Sequence, residues 1–208
     1  MEILPDILGA KHKLINLLSN QLDVHFSYHS LEHSLDVFDA SLRLCKMEKI
    51  NNPRLELLIA TAALYHDTGF TIGGYKDHEE AGCAVARKHL PELGYTNEDL
   101  DEISKLILAT KLPQNPQTIQ ERIICDADLD YLGREDYYPI SSQLKDEFSH
   151  FGIIKTESDW LRVQITFFKS HTFFTNSAKE MRNERKMQYL EELINQRNSM
   201  LQNEENND

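Results

Sequence analysis

Five residues of this 208-residue chain have the types and spacing of a metal site: His29, His33, His66, Asp67 and Asp128. His29 and His33 fall in the segment YHSLEHSLDV (28–37), four positions apart. On a helix they would stand one turn above each other on one face. The adjacent pair His66-Asp67 and a further inward carboxylate, Asp128, complete a nitrogen and oxygen shell suited to a first-row divalent cation. A histidine pair or a His-Asp dipeptide alone is a weak signal. Their combination, with each ligand on an inward face, is a strong one.

The surrounding pattern is helical. The spacing predicts helices over about 6–22, 29–48, 53–65, 77–90, 97–111, 117–132, 135–151, 157–172 and 176–201, with the few Gly and Pro residues between them. In the second, Leu31, Leu35, Phe38, Leu42 and Cys45 form one stripe and His33, Val37, Ala40 and Leu44 another. That helix reads as central and points His33 inward. Asn52-Pro53 starts the third, the nearly all-apolar run to Tyr65 that delivers His66-Asp67. Asp77 reads as the cap of the fourth, with Glu80 at the capping-box position, after a Gly73-Gly74 loop. On a continuous sixth helix, Ile124, Cys125, Ala127, Tyr131 and Leu132 share the face of Asp128. Asp126 and Asp130 then fall about 160° away, on the wet side. Trp160, Val163, Phe167 and Phe168 read as core. The segment His171–Thr175 reads as core or as the lining of a nucleobase pocket, core being preferred.

Composition bounds the rest. A net charge of −12 argues against a basic nucleic-acid surface, although a bound cation can still recruit a small anion. Three widely spaced cysteines with no C-x-x-C read as reduced thiols, and no stretch approaches a membrane span, so a cytoplasmic protein is expected. The expected architecture is all-α, a single-domain helical bundle over residues 1–200 with a disordered tail at 201–208.

These motifs resemble the HD superfamily of metal-dependent phosphohydrolases, whose pattern is H…HD…D in a helical bundle. His33, His66, Asp67 and Asp128 match its ligand positions, and YHSLEHSLDV is similar to the YHN-x2-H-A-x-D-V element of cyclic nucleotide phosphodiesterases. The resemblance covers about residues 28–132. It implies that His29 protonates the leaving oxygen, that Asp67 binds metal and shares the water, and that a divalent ion (Mn, Ni, Mg, Fe or Zn) activates that water. The chain departs from the phosphodiesterase pattern at Phe70, where a histidine is expected. Bimetallic branches add two histidines between HD and the distal Asp. His78, with Glu79, is a candidate for a second metal or for orienting water, but Thr110 and Lys111 stand where the other histidine would be. Lys111 and Arg134 are candidate phosphate ligands, with helix-end placement the slightly preferred reason for both.

The expected activity is hydrolysis of a phosphoester in a nucleotide or small phosphorylated metabolite. The partner is that small molecule, with no nucleic-acid polymer and no membrane, and a homo-oligomer is left open. Two alternatives stand beside it, an HD-type di-iron oxygenase and a catalytically silent metal- or nucleotide-binding module.

Overall fold

The computed structural model describes residues 3–205. They form nine α-helices and no strand: α1 (Ile7–Gln21), α2 (Leu31–Met47), α3 (Pro53–Tyr65), α4 (His78–His89), α5 (Asn97–Ala109), α6 (Ile119–Asp128), α7 (Tyr137–His150), α8 (Glu157–Ser170) and α9 (Asn176–Glu205). Short 3₁₀ turns at Thr68–Thr71 and Asp130–Gly133 follow α3 and α6. The fold is all-α, as expected. No helix among the described residues is long and apolar enough to cross a membrane.

The helix starts follow local chemistry. Asp6, Ser30, Asn52, Thr96, Thr118 and Thr156 each accept a backbone N–H of the first turn through the side chain. At Thr96, Thr118 and Thr156 an acid three residues on returns the bond, completing a capping box.

The centre of the bundle is α3, not α2. Every residue from Leu58 to Tyr65 is buried, and α1, α2, α4, α5 and α6 pack around it. On α2 the stripe containing His33, Val37, Ala40 and Leu44 is buried, whereas of the other stripe only Cys45 is buried and Leu31, Leu35, Phe38 and Leu42 are partly exposed. One apolar stripe was enough to seat α2 against α3 and α6.

Three other local expectations change. Asp77 makes no capping bond, because it takes the left-handed conformation (φ 56°) at the turn into α4. The tight approach behind that turn requires Gly69. A Cβ there would stand 1.9 Å from the His78 carbonyl oxygen, a backbone clash with no flexible neighbour to yield. Residues 201–205, expected in a disordered tail, continue α9 to Glu205, and the remainder of that tail lies outside the described residues.

The third correction concerns Asp126 and Asp130, which are both fully buried rather than wet. The wheel assumed one solvent side and a continuous helix. Instead α6 stops at Asp128, and the segment entering α9 covers its far face. Asp126 accepts the backbone N–H groups of Phe174 and Thr175 and the Thr175 hydroxyl. Asp130 is clamped by Arg43 from α2 and Arg182 from α9. Phe173 and Thr175 are buried, so the His171–Thr175 segment is core and joint, as preferred.

Candidate metal centre and adjoining cavity

Three helix ends meet at the site. His33 stands in the first turn of α2, with its backbone N–H 3.4 Å from the Ser30 cap hydroxyl. His66 and Asp67 follow the last turn of α3, and Asp128 closes α6. His66 Nδ1 donates to the Ala63 carbonyl at 2.9 Å, which leaves Nε2 with its lone pair turned to the site. His66 Nε2 lies 3.1 Å from Asp67 Oδ2 and 3.3 Å from Asp128 Oδ1, while His33 Nε2 lies 3.4 Å and 3.2 Å from the same two atoms.

Despite that proximity, His33 Nε2, His66 Nε2 and Asp67 Oδ2 are buried atoms with no hydrogen-bond partner among the described residues. Buried polar atoms without partners are costly, and native folds rarely keep several in one place. Ligand atoms of His33, His66 and Asp128 all fall within 4.8 Å of one another, the spacing of donors around a shared ion. Two imidazole nitrogens and two carboxylates suit a first-row divalent cation.

The charges of the group lean on one another. Burial opposes a charge on His66, but the Asp67 carboxylate beside it raises the His66 pKa well above the ordinary imidazole value. Burial alone would raise Asp67, yet the neighbouring imidazoles, His66 first, hold it well below the carboxylate range. Asp128 is lowered in the same way by His33 and His66. A cation and protons therefore compete for these atoms.

A family model described as the HD domain matches residues 30–130. Residues 30–130 form an HD domain. The match contains all four of these residues, and an HD domain implies a superfamily of the metal-dependent hydrolase type. Comparison with curated proteins gave no match, and comparison with solved structures gave none.

His29 lies just outside the HD domain's first helix rather than one turn below His33 on it, because the Ser30 cap starts α2 after it. Its ring still comes to 6.2 Å from that of His33 and packs on Phe70 at 4.4 Å. Its Nδ1 is 2.5 Å from Glu147 Oε1 on α7. Glu147 is fully buried and also accepts the backbone N–H groups of Tyr28 and His29 and the Tyr75 hydroxyl. Sequence reasoning missed Glu147. The partners are 118 positions apart, and no local spacing links them.

The remaining candidates divide. His78 Nδ1 donates to the Tyr75 carbonyl, and Nε2 lies 3.7 Å from Asp67 Oδ1 and 3.4 Å from Glu79 Oε1. His78 and the buried Glu79 thus stand on the other side of Asp67 from His33 and His66, with Phe70 stacked on His78 at 4.3 Å. Thr110 offers no further imidazole, and its hydroxyl donates to the Ile107 carbonyl. Lys111 reaches the same region but is held by Glu80 at 2.6 Å. Arg134 does not join the group. Asp36 and Asp136 grip it, and it lines a different cavity with Arg43 and Arg182.

A cavity of about 390 Å³ opens beside the metal group, within the usual size for small-ligand pockets. One wall carries His29, Asp67, His78, Glu79, Lys111 and Asp128. A second part of the lining comes from α7 and α8 and includes Trp160, Val163, Phe167 and Phe168, the residues expected in the core. An apolar helical stripe looks the same in sequence whether it faces packed atoms or a cavity.

Proposed function

We propose that this protein is a phosphohydrolase or phosphodiesterase acting on a nucleotide or small phosphorylated metabolite. The observation that carries the reading is the convergence of three unpartnered buried atoms, His33 Nε2, His66 Nε2 and Asp67 Oδ2, around Asp67 and Asp128, which line a ligand-sized cavity. The donor set fits a divalent cation held by His33, His66, Asp67 and Asp128. When bound, such an ion supplies Lewis acidity toward phosphoryl oxygens and brings the pKa of water from 15.7 to about 7.

The chain's own residues do the rest. Asp67 faces the cavity and orients the attacking water as a hydrogen-bond acceptor. His29 protonates the leaving oxygen through Nε2, since Nδ1 is committed to Glu147. Burial disfavours the imidazolium, but the Glu147 hydrogen bond together with the charges of Asp67, Glu147 and Asp128 outweighs it and raises the His29 pKa, which favours the protonated form an acid needs. Glu79 and His78 hold water or a second cation next to Asp67, and Lys111 offers one cationic contact to phosphate. An oxygenase reading is weaker because Thr110 supplies no additional imidazole.

The test is hydrolysis of a phosphoester panel by purified protein loaded in turn with Mn, Ni, Mg, Fe or Zn. Metal-dependent release of phosphate or alcohol, lost in His66→Ala, supports the reading. Tight metal binding with no turnover of any ester would instead mark a silent binding module, and an iron form that consumes oxygen would mark an oxygenase.

A further inference from the structure

The cavity is chemically two-faced, and that bears on which phosphoester it takes. All of its Asp, Glu, Lys and His lining belongs to the metal-bearing wall. From α7 and α8 no Asp, Glu, Lys, Arg or His lines it. The polar side chains on that wall largely satisfy one another, since the Tyr137 and Ser141 hydroxyls both donate to Gln164 Oε1. What remains is Leu144, Phe148, Trp160, Val163, Phe167 and Phe168.

A sugar or a charged base placed there would leave water without replacement partners, which is costly. The cationic provision is equally limited. Among the described residues Lys111 is the only lysine or arginine lining the cavity, and it is already paired with Glu80, among the acids Asp67, Asp77, Glu79 and Asp128. A chain of phosphates would face those carboxylates with little to offset it.

We infer that the substrate is an ester of a single phosphate with an apolar alcohol, its hydrocarbon portion packed against α7 and α8. This rests on the phosphohydrolase reading for turnover, but its binding half does not. Selectivity comes from buried apolar area, so each methylene entering the cavity strengthens binding about fourfold until the space is filled. The specificity-determining side chains are Trp160, Val163 and Phe167.

Trp160 is the single tryptophan of the chain and lines this wall, so its fluorescence reports occupancy without metal or turnover. Methyl, butyl, hexyl and octyl phosphate, with ribose 5-phosphate as the polar control, are titrated into the full-length metal-free protein. The expected result is a saturable Trp160 signal with affinity rising about fourfold per methylene over part of the series. Ribose 5-phosphate should give no signal at equal concentration. In the metal-loaded protein, kcat/KM should rise along the same series, and Val163→Phe should shorten the longest chain accepted. Tryptophan titration of Val163→Phe also shows whether that variant keeps a folded cavity. A flat series, or preference for ribose 5-phosphate, overturns the inference even if esters are hydrolysed. A rising series in binding with no hydrolysis of any ester upholds its binding half, overturns the compound as substrate, and removes the phosphohydrolase reading.

Discussion

His29 and Glu147 are joined at 2.5 Å between Nδ1 and Oε1, and Glu147 is buried completely beneath the contact. The pair links the segment before α2 to α7, beyond the end of the HD domain at residue 130. It fixes the His29 ring, selects Nε2 as the free nitrogen, and raises its pKa against the pull of burial.

From this follows the pH behaviour of turnover. A general acid works while protonated, so a raised pKa extends activity toward alkaline pH. Glu147→Gln removes one of the charges that raise it, beside Asp67 and Asp128, and the alkaline limb of kcat should move to lower pH with metal content unchanged. His29→Asn should lower kcat by about 10²–10⁴-fold, the usual worth of a general acid. Unaltered pH profiles in Glu147→Gln would detach Glu147 from the mechanism.

Gly69 controls how closely α4 approaches the end of α3. With a Cβ falling 1.9 Å from the His78 carbonyl oxygen, Gly69→Ala must push the two segments apart. A loss of about 1–3 kcal/mol in urea denaturation is expected, as for other overpacked sites. His78 and Glu79 should shift away from Asp67, lowering activity beyond what the stability loss explains. Wild-type stability and activity in this variant would show that the approach is softer than the geometry requires.

Lys186 is buried at the joint of α8 and α9, where its amine donates to the His171 carbonyl. Burial lowers its pKa to about 8. Because the unfolded chain binds this proton up to about pH 10.4, it holds more protons than the folded chain between the two values. Stability should therefore rise from pH 8 toward pH 10, by at most about 1.4 kcal/mol per unit. Chemical denaturation across that range checks this, and Lys186→Met should flatten the dependence.

Local signals in the sequence carried a good deal of the structure. Caps such as Asn52-Pro53 and Thr96 mark helix starts because they act within four residues, and the apolar run of α3 marks a buried helix, although α2 read as the central one. His33, His66 and Asp128 were legible because each is an ionisable residue placed on an apolar face. Asp126 and Asp130 were misread because the segment entering α9, and α9 itself, turn what looks like a wet face into a buried one. Glu147 was invisible for a related reason. Its partners lie on other elements, and no periodicity encodes a contact across 118 residues. The cavity was hidden because Trp160 and Phe167 carry the same pattern as packed core.

The central claim is that His33, His66, Asp67 and Asp128 hold one cation. Its most direct test is metal content by elemental analysis after exhaustive dialysis, on the wild type and on His66→Ala checked for native helicity. The account predicts about one tightly held divalent ion per wild-type chain and none in the folded variant. A folded His66→Ala that retains its full metal content, or a wild type that holds none under any loading condition, would contradict it.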